Sequence, residues 1–342
     1  MRVGFDVSPL THPHSRGLAR VVEELVAALE RRARLEVVRL APGPGHGSRR
    51  WRQGELPRHA RGLAGLHSFT SAFALRGPGA RVQTIHELPW KHGVAENADL
   101  RHRLWASLGA RRATRVVVPS AHVARDLGAA ARRKATVVPW GVAQRFVPEP
   151  APGQVDEVVR ARYRLGEDPY LFCPGAVRAK KNLAAVLQAL AERRARGAPA
   201  LRVLVTGGDS PQLRQDLGLA SRLGLDRFVM VLDEAAEEDL PALYRLAAAV
   251  PVLSLSEGFG LPVLEALACG TPVLVPPDSA QAEVAGAAGL VVEPARPAEV
   301  ARALEQAVAE RTALAARGLE RARAFTWEAA AERVEALWQE LA

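Results

Sequence analysis

The stretch Ser254–Pro272, SLSEGFGLPVLEALACGTP, decides how the rest of the chain is read. Its start, Pro251–Ser256 (PVLSLS), is a short apolar run with little alternation, which predicts the end of a buried strand. Gly258 and Gly260 permit a tight exit, Pro262 suits the first helical turn, and Gly270 with a following proline closes the helix. Backbone N–H groups at such a helix start favour an anion. The two carboxylates that bracket the turn, Glu257 and Glu265, suit hydroxyl donors instead. One loop therefore offers amide donors for phosphate and acceptors for a polyol, the combination a sugar nucleotide needs.

Around this segment, strand-like and helix-like runs alternate, which predicts parallel sheets in βα units. A first series contains Arg2–Val7, Arg81–His86, Arg115–Pro119 and Ala135–Pro139, with helices over Leu18–Arg31 and Ala98–Ala113. The Gly/Pro/Arg-rich region Pro42–His67 reads as a loop, and Val147–Pro152 as an interdomain linker. A second series runs through Tyr170–Cys173, Leu201–Thr206, Phe228–Val231, Ala249–Leu255, Pro272–Val275 and Leu290–Val292. It ends in a long helix over Pro297–Arg317 and an amphipathic segment, Phe325–Leu341.

Length and composition agree with two ordinary domains: 342 residues, 48% of them hydrophobic, leave no reason to expect disorder. No apolar run approaches the roughly 20 residues of a spanning helix. The opening MRVGFDV has no signal-peptide pattern, and Cys173 and Cys269 are unpaired in spacing. A cytoplasmic protein with reduced cysteines is expected. Net charge is +9, and only four of the 46 basic residues are lysine. Spread over helix faces, such arginines are ordinary solvated charge; the sharper alternative is contact with an anionic membrane. Nucleic acid is not expected, since no aromatic module interleaves with the charge.

The Glu257-x7-Glu265 segment resembles the donor half of a family 4 retaining glycosyltransferase (glycosyl transferases group 1). So do Pro174–Leu183 (PGAVRAKKNL) and Ala282–Val292 (AEVAGAAGLVV). Upstream, VGFDVSPL (Val3–Leu10), TIHELPW (Thr84–Trp90), VVVPSAHVARDL (Val116–Leu127) and TVVPWGV (Thr136–Val142) follow in the order of that family. The resemblance implies an α/β GT-B fold, two Rossmann-like domains facing across a cleft. Residues 1–166 would form the acceptor domain, 167–324 the nucleotide-sugar donor domain, and 325–342 a helix crossing back to the first. It also implies transfer of a hexosyl group, mannosyl favoured, from a GDP- or UDP-linked donor to a saccharide or lipid-linked acceptor of the cell envelope. Retention would proceed by front-side attack, the leaving phosphate taking the acceptor's proton.

The same resemblance assigns residues. Glu257 would meet hydroxyls of the transferred sugar and Glu265 the ribose, with Gly258, Phe259, Gly260 and Leu261 donating backbone amides. Lys181 would hold the diphosphate. Beside a helix start, Lys180 and Lys181 oppose the dipole at a cost of ~0.3–1 kcal/mol, which a bound anion removes; Lys180 alone reads as a solvated side chain, and Asn182 as an N-cap. Where relatives carry an arginine after the first glycine of this block, the chain has Ala176. His86, at a strand end, would lie near the reaction centre, and Gly17 would bring an amide to the diphosphate. Thr206–Asp209 ends another strand at the expected cleft, and Asp233–Ala235 falls where relatives hold the nucleobase. Acceptor residues are expected in first-domain loops such as Pro42–His67 and Trp90–Val94, while His12 and His14 read equally as acceptor contacts or as exposed loop residues.

No Asp-x-Asp occurs, and no His/Cys/Asp cluster has metal spacing, so neither a metal site nor a cofactor is expected. Lys181, helix N-termini and loop amides must then stabilise the departing diphosphate. A dehydrogenase would need Gly-x-Gly-x-x-Gly after the first strand, which is missing. A non-catalytic binding protein would be favoured by loss of Glu257, Glu265 or Lys181, and all three are present. A GT-B epimerase or phosphorylase is the nearest catalytic alternative.

Overall fold

The structure is a computed structural model that describes residues 1–11, 16–43, 50–70, 73–95, 100–150 and 156–342. His12 and His14, part of the Pro42–His67 region and the end of the Val147–Pro152 linker lie outside the described residues. The chain forms two compact units, Met1–Gly141 with Phe325–Ala342, and Val142–Ala324.

The first unit is built on six parallel strands: β1 (Arg2–Asp6), β2 (Glu36–Leu40), β3 (Gly65–Ser68), β4 (Ala80–Thr84), β5 (Arg115–Val118) and β6 (Ala135–Val137). Their order is β2-β1-β3-β4-β5-β6, with Val3 opposite Val37 on one side and Gly65 on the other. Val21, Val22, Leu25, Val26 and Leu29 form the buried stripe of the helix Arg16–Arg32, as the 3.6-residue periodicity requires. The helix Trp327–Gln339 belongs to this unit. Val334, Leu337 and Trp338 are buried, about 1.5–3 kcal/mol for each such side chain. Arg31 and Arg32 donate to Glu328 and Glu335 at 2.9 and 2.8 Å. Gly65 is required here: a Cβ would stand 2.3 Å from the Ala80 carbonyl oxygen and 2.5 Å from the Trp338 ring.

The second unit contains β7 (Tyr170–Cys173), β8 (Arg202–Thr206), β9 (Val229–Leu232), β10 (Val250–Pro251), β11 (Val273–Val275) and β12 (Gly289–Val291). Two three-stranded sheets, β7-β8-β9 and β10-β11-β12, are joined by a parallel bridge between Leu171 and Ala249. The Phe172 amide donates to Ala249 at 3.0 Å, and that of Ala248 to Tyr170 at 2.8 Å. The resulting order, β9-β8-β7-β10-β11-β12, is doubly wound with its reversal between β7 and β10, where such sheets bind ligands beyond their carboxyl ends. Leu171, Val203, Leu187, Leu190, Val300 and Leu304 lie in one buried core.

Several expectations need correction. The domain boundary falls at Gly141/Val142 rather than 166/167. The helix Asp156–Arg162 is held to the second unit by a forked Arg245–Asp156 pair at 2.6–3.2 Å. Asp239 accepts from Arg162 and Tyr163 at 2.6 and 2.8 Å. The region read as a loop contains a π-helical turn, Trp51–Glu55, the short helix Leu56–His59 and β3. β3 (GLHS) is buried throughout, so it shows no alternation to read. The long helix is two, Pro297–Ala309 and Arg311–Ala322. At the break the Arg311 guanidinium turns to the carbonyls of Arg245, Ala247 and Ala248 at 2.6–3.0 Å.

Candidate functional site

The site grows from three loops that leave the carboxyl ends of β7, β8 and β10. After β10 the chain stays extended: the Val252 amide donates to Leu274 and that of Leu255 to Lys180, both at 2.8 Å. It then turns through Glu257–Gly260. Gly260, at φ 101°, occupies a left-handed conformation and caps the helix Leu261–Ala268, a geometry that disfavours any side chain. Pro262 takes a first-turn position whose N–H has no intrahelical partner.

The loop after β7 carries Pro174 and Gly175 into a 3-10 turn, Ala179–Lys181. Asn182 follows at φ 55°, a left-handed conformation asparagine tolerates. Its side chain does not cap the next helix; it donates instead to the Leu253 carbonyl at 3.2 Å, tying the β7 and β10 loops together. On the other side the Thr206 hydroxyl accepts from the Gly175 amide at 2.8 Å. Gly207 (φ 120°) passes so close that a Cβ would stand 2.4 Å from Ala176 Cα.

These loops bring two expected residues into contact. Lys181 Nζ donates to Glu257 Oε1 at 2.8 Å, with both side chains largely withdrawn from solvent. Burial alone would raise the Glu257 carboxyl, but the charges of Lys181 and Lys180, with hydrogen bonds from Lys181 and Ser254, hold it at about 2. Glu257 is thus an anion at any physiological pH. A pocket beside Lys181 is lined among others by Cys173, Gly175, Val252, Ser254 and Pro262. Burial pushes the Cys173 thiol up to about 12, so it is an inert, half-buried wall rather than a nucleophile.

Glu265 lies one turn into the helix, buried, and accepts from the Tyr244 hydroxyl at 2.7 Å. Phe259 packs as a buried side chain, so only the backbone of Gly258–Leu261 can serve a ligand in the expected way. Lys180 corrects the sequence reading. It is 4% exposed, not solvated, and its charge acts on Glu257. The signal for it was the lysine doublet itself. Ser254 and Tyr244 were also missed, since nothing in their spacing marks a hydroxyl that will face a carboxylate. Asp233–Ala235 follows β9 at the surface, and Asp209 pairs with Arg214.

The remaining residues belong to the first unit. His86 follows β4, and its Nε2 lies 2.9 Å from the Phe69 carbonyl oxygen. That bond fixes the proton on Nε2 and leaves Nδ1 an acceptor. Burial lowers its pKa to about 4 against the opposing effect of the carbonyl, so the ring is neutral. Gly17 is exposed in the first turn of Arg16–Arg32, and a Cβ there would meet nothing within 4 Å. His92 also comes together in space with His122 and Asp126, which share a helix of their own, a grouping that linear spacing across the two elements does not connect.

The model of "Glycosyl transferases group 1" matches residues 156–325, nearly the whole second unit. D-inositol 3-phosphate glycosyltransferase 1 of Catenulispora acidiphila is 35% identical over 283 residues, 75% of this chain and 66% of that one. O-antigen chain mannosyltransferase B of Escherichia coli is 34% identical over 177 residues, 50% and 45% of the two chains. The chain spans about half to two thirds of the length of such relatives. Among solved structures, HepE from Anabaena in complex with UDP-glucose superposes with a TM-score of 0.77 at 16% identity, covering 99% of this chain and 100% of that one, a likeness of fold alone. Seven ordered sequence blocks, two parallel αβ units and a matching family model lead to one assignment: the chain belongs to the group 1 glycosyl transferases and has their GT-B fold.

Proposed function

We propose that the protein transfers a hexosyl group, with retention and without a metal ion, from a nucleoside-diphosphate sugar to a hydroxyl of a saccharide or lipid-linked acceptor. The observation that carries this reading is the Lys181–Glu257 pair at the reversal point of the second sheet. Lys181 has three N–H donors, so it can hold Glu257 with one and a phosphate oxygen with another. Glu257 keeps lone pairs for sugar hydroxyls after accepting from Lys181, and its low pKa keeps it an acceptor. Glu265 serves the ribose, and the amides of Gly258–Leu261 and Gly17 face the diphosphate. His86, neutral with Nδ1 unprotonated, accepts from a hydroxyl of the transferred sugar. The acceptor oxygen bonds to the anomeric carbon as the bond to phosphate breaks, and the acceptor's proton passes to the departing phosphate oxygen.

The mannosyl reading rests on the Lys180–Leu183 block and the likeness to an O-antigen chain mannosyltransferase; the UDP-glucose held by HepE makes glucosyl transfer the reading to compare. Both relatives' names point to polyol or cell-envelope acceptors. Among the described residues no helix is long and apolar enough to cross a membrane. Contact with an anionic membrane surface is part of the proposal, since the helix Leu100–Arg112 exposes Leu100, Leu104 and Leu108 alongside Arg103, Arg111 and Arg112.

Thermal-shift titration with UDP, GDP, ADP and their sugars tests the donor: one nucleotide series should stabilise preferentially, and stabilisation by none would overturn the proposal. Donor turnover should be unchanged by added Mg2+ or Mn2+; activity that requires either ion would refute the metal-free chemistry.

A further inference from the structure

In the first unit, three potential metal ligands that the donor chemistry does not use converge. His92 ends the 3-10 turn Pro89–His92, which Gly93 stops in a left-handed conformation at φ 70°. His122 and Asp126 lie four residues apart on the helix Ala121–Asp126, hence on one face. Ser120 fixes the start of that helix, its hydroxyl accepting from the Val123 amide at 3.2 Å. One ligand-capable atom from each of the three residues lies within 4.8 Å of the others. His92 Nε2 is 2.7 Å from Asp126 Oδ2, and the two imidazole rings stand 5.0 Å apart. His122 is buried, while His92 and Asp126 are half-buried, so the cluster is held by the fold yet reachable from solvent.

Two imidazoles and a carboxylate are a zinc donor set; magnesium and calcium prefer oxygen alone. Bonds of about 2.0–2.2 Å in a tetrahedral array place ligand atoms roughly 3.3 Å apart. The His92–Asp126 pair must open slightly and His122 must close, which side-chain rotation supplies. One group opposes this. Arg125 Nη2 lies 3.3 Å from His122 Nδ1, and its positive charge repels a cation; the side chain is exposed and can swing outward.

We propose that His92, His122 and Asp126 form a zinc site with solvent in the fourth position, clipping the segment after β4 to the helix after β5. Those strands are paired neighbours, so the ion would fasten two adjacent loops at the carboxyl end of the sheet, including the loop that begins with His86.

The test uses the full chain freed of metal, with Co2+ as an optical stand-in for Zn2+ and calorimetry for Zn2+ itself. A single equivalent should bind, give the visible absorption of tetrahedral Co2+, lose it on Zn2+ addition, and raise the Tm. His122→Ala and His92→Ala, each checked for folding by circular dichroism, should weaken binding about tenfold or more. Arg125→Ala should tighten it. Absence of stoichiometric Co2+ absorption, or Zn2+ affinity unchanged in both histidine variants, would overturn the site.

Discussion

The two units follow the same winding rule yet furnish the carboxyl ends of their central strands with opposite chemistry. In the second unit those ends present charge: Lys181 and Lys180 beside the anion of Glu257. In the first unit the histidines beside those ends are neutral and packed. His67 is fully buried between Phe5 and Phe69, with ring centroids 5.3 and 4.7 Å away. His86 is pinned to the Phe69 carbonyl. Asp6 stands apart from them: wholly buried, it lies 3.9 Å from the Arg52 guanidinium and accepts from Trp51 at 3.0 Å and from the Ser8 amide at 3.2 Å. A charged pair in a low-dielectric wall is suited to gripping an ionic ligand, whereas neutral imidazoles can only orient hydroxyls.

The strongest way to break this contrast is Glu257→Gln, which keeps the shape and removes the charge. It should lower kcat about 10²–10³-fold, the scale of a lost transition-state contact, with nucleotide affinity retained. Near-normal turnover would remove Glu257 from the site. Next, Lys181→Met should weaken nucleotide-sugar binding about tenfold or more and raise the pKa of Glu257, whose remaining cation is Lys180. Because the pair is partly solvated, its loss should cost about 1–3 kcal/mol, less than a fully buried pair. A double-mutant cycle by urea denaturation measures the coupling directly.

Acid sharpens the comparison further. His86 and His67 have pKa values depressed to about 4 and 3 by burial, so the unfolded chain binds more protons between there and its ordinary value near 6.5. The stability they confer is complete above pH 6.5 and falls as pH drops through that window. Glu257, lowered from 4.5 to about 2, keeps its contribution until pH falls below 4.5. Proteolysis between pH 6.5 and 5 should therefore cut the first unit before the second. Equal susceptibility would contradict the assignment of neutral histidines. Smaller effects are expected at the glycines. Gly207→Ala should destabilise the second unit by about 1–3 kcal/mol through its contact with Ala176. Gly17→Ala should leave stability within about 1 kcal/mol of the parent and donor affinity unchanged, because only its amide is invoked.

Much of this was legible in the chain. The alternation of apolar runs predicted the βα units, since buried parallel strands and amphipathic helices leave distinct periods. The Glu257–Gly260 turn announced itself through residues that only a left-handed conformation and a helix start explain. What escaped reading shares a cause. β3 is buried on every side, so it shows no pattern of its own. Lys180 looked solvated because burial is a property of the neighbours, here the β10 loop crossing above it. Asn182 was read as a cap from its type and position, but the carbonyl of Leu253 competes for its side chain and wins. The His92–His122–Asp126 cluster is a product of strand order, which no linear motif encodes.

The packing of Trp338 on Gly65 sets a timetable for biogenesis. The first unit lacks part of its core until the last helix emerges from the ribosome, whereas Val142–Ala324 is contiguous and complete beforehand. Of the two units, the one begun earlier is therefore the one completed later.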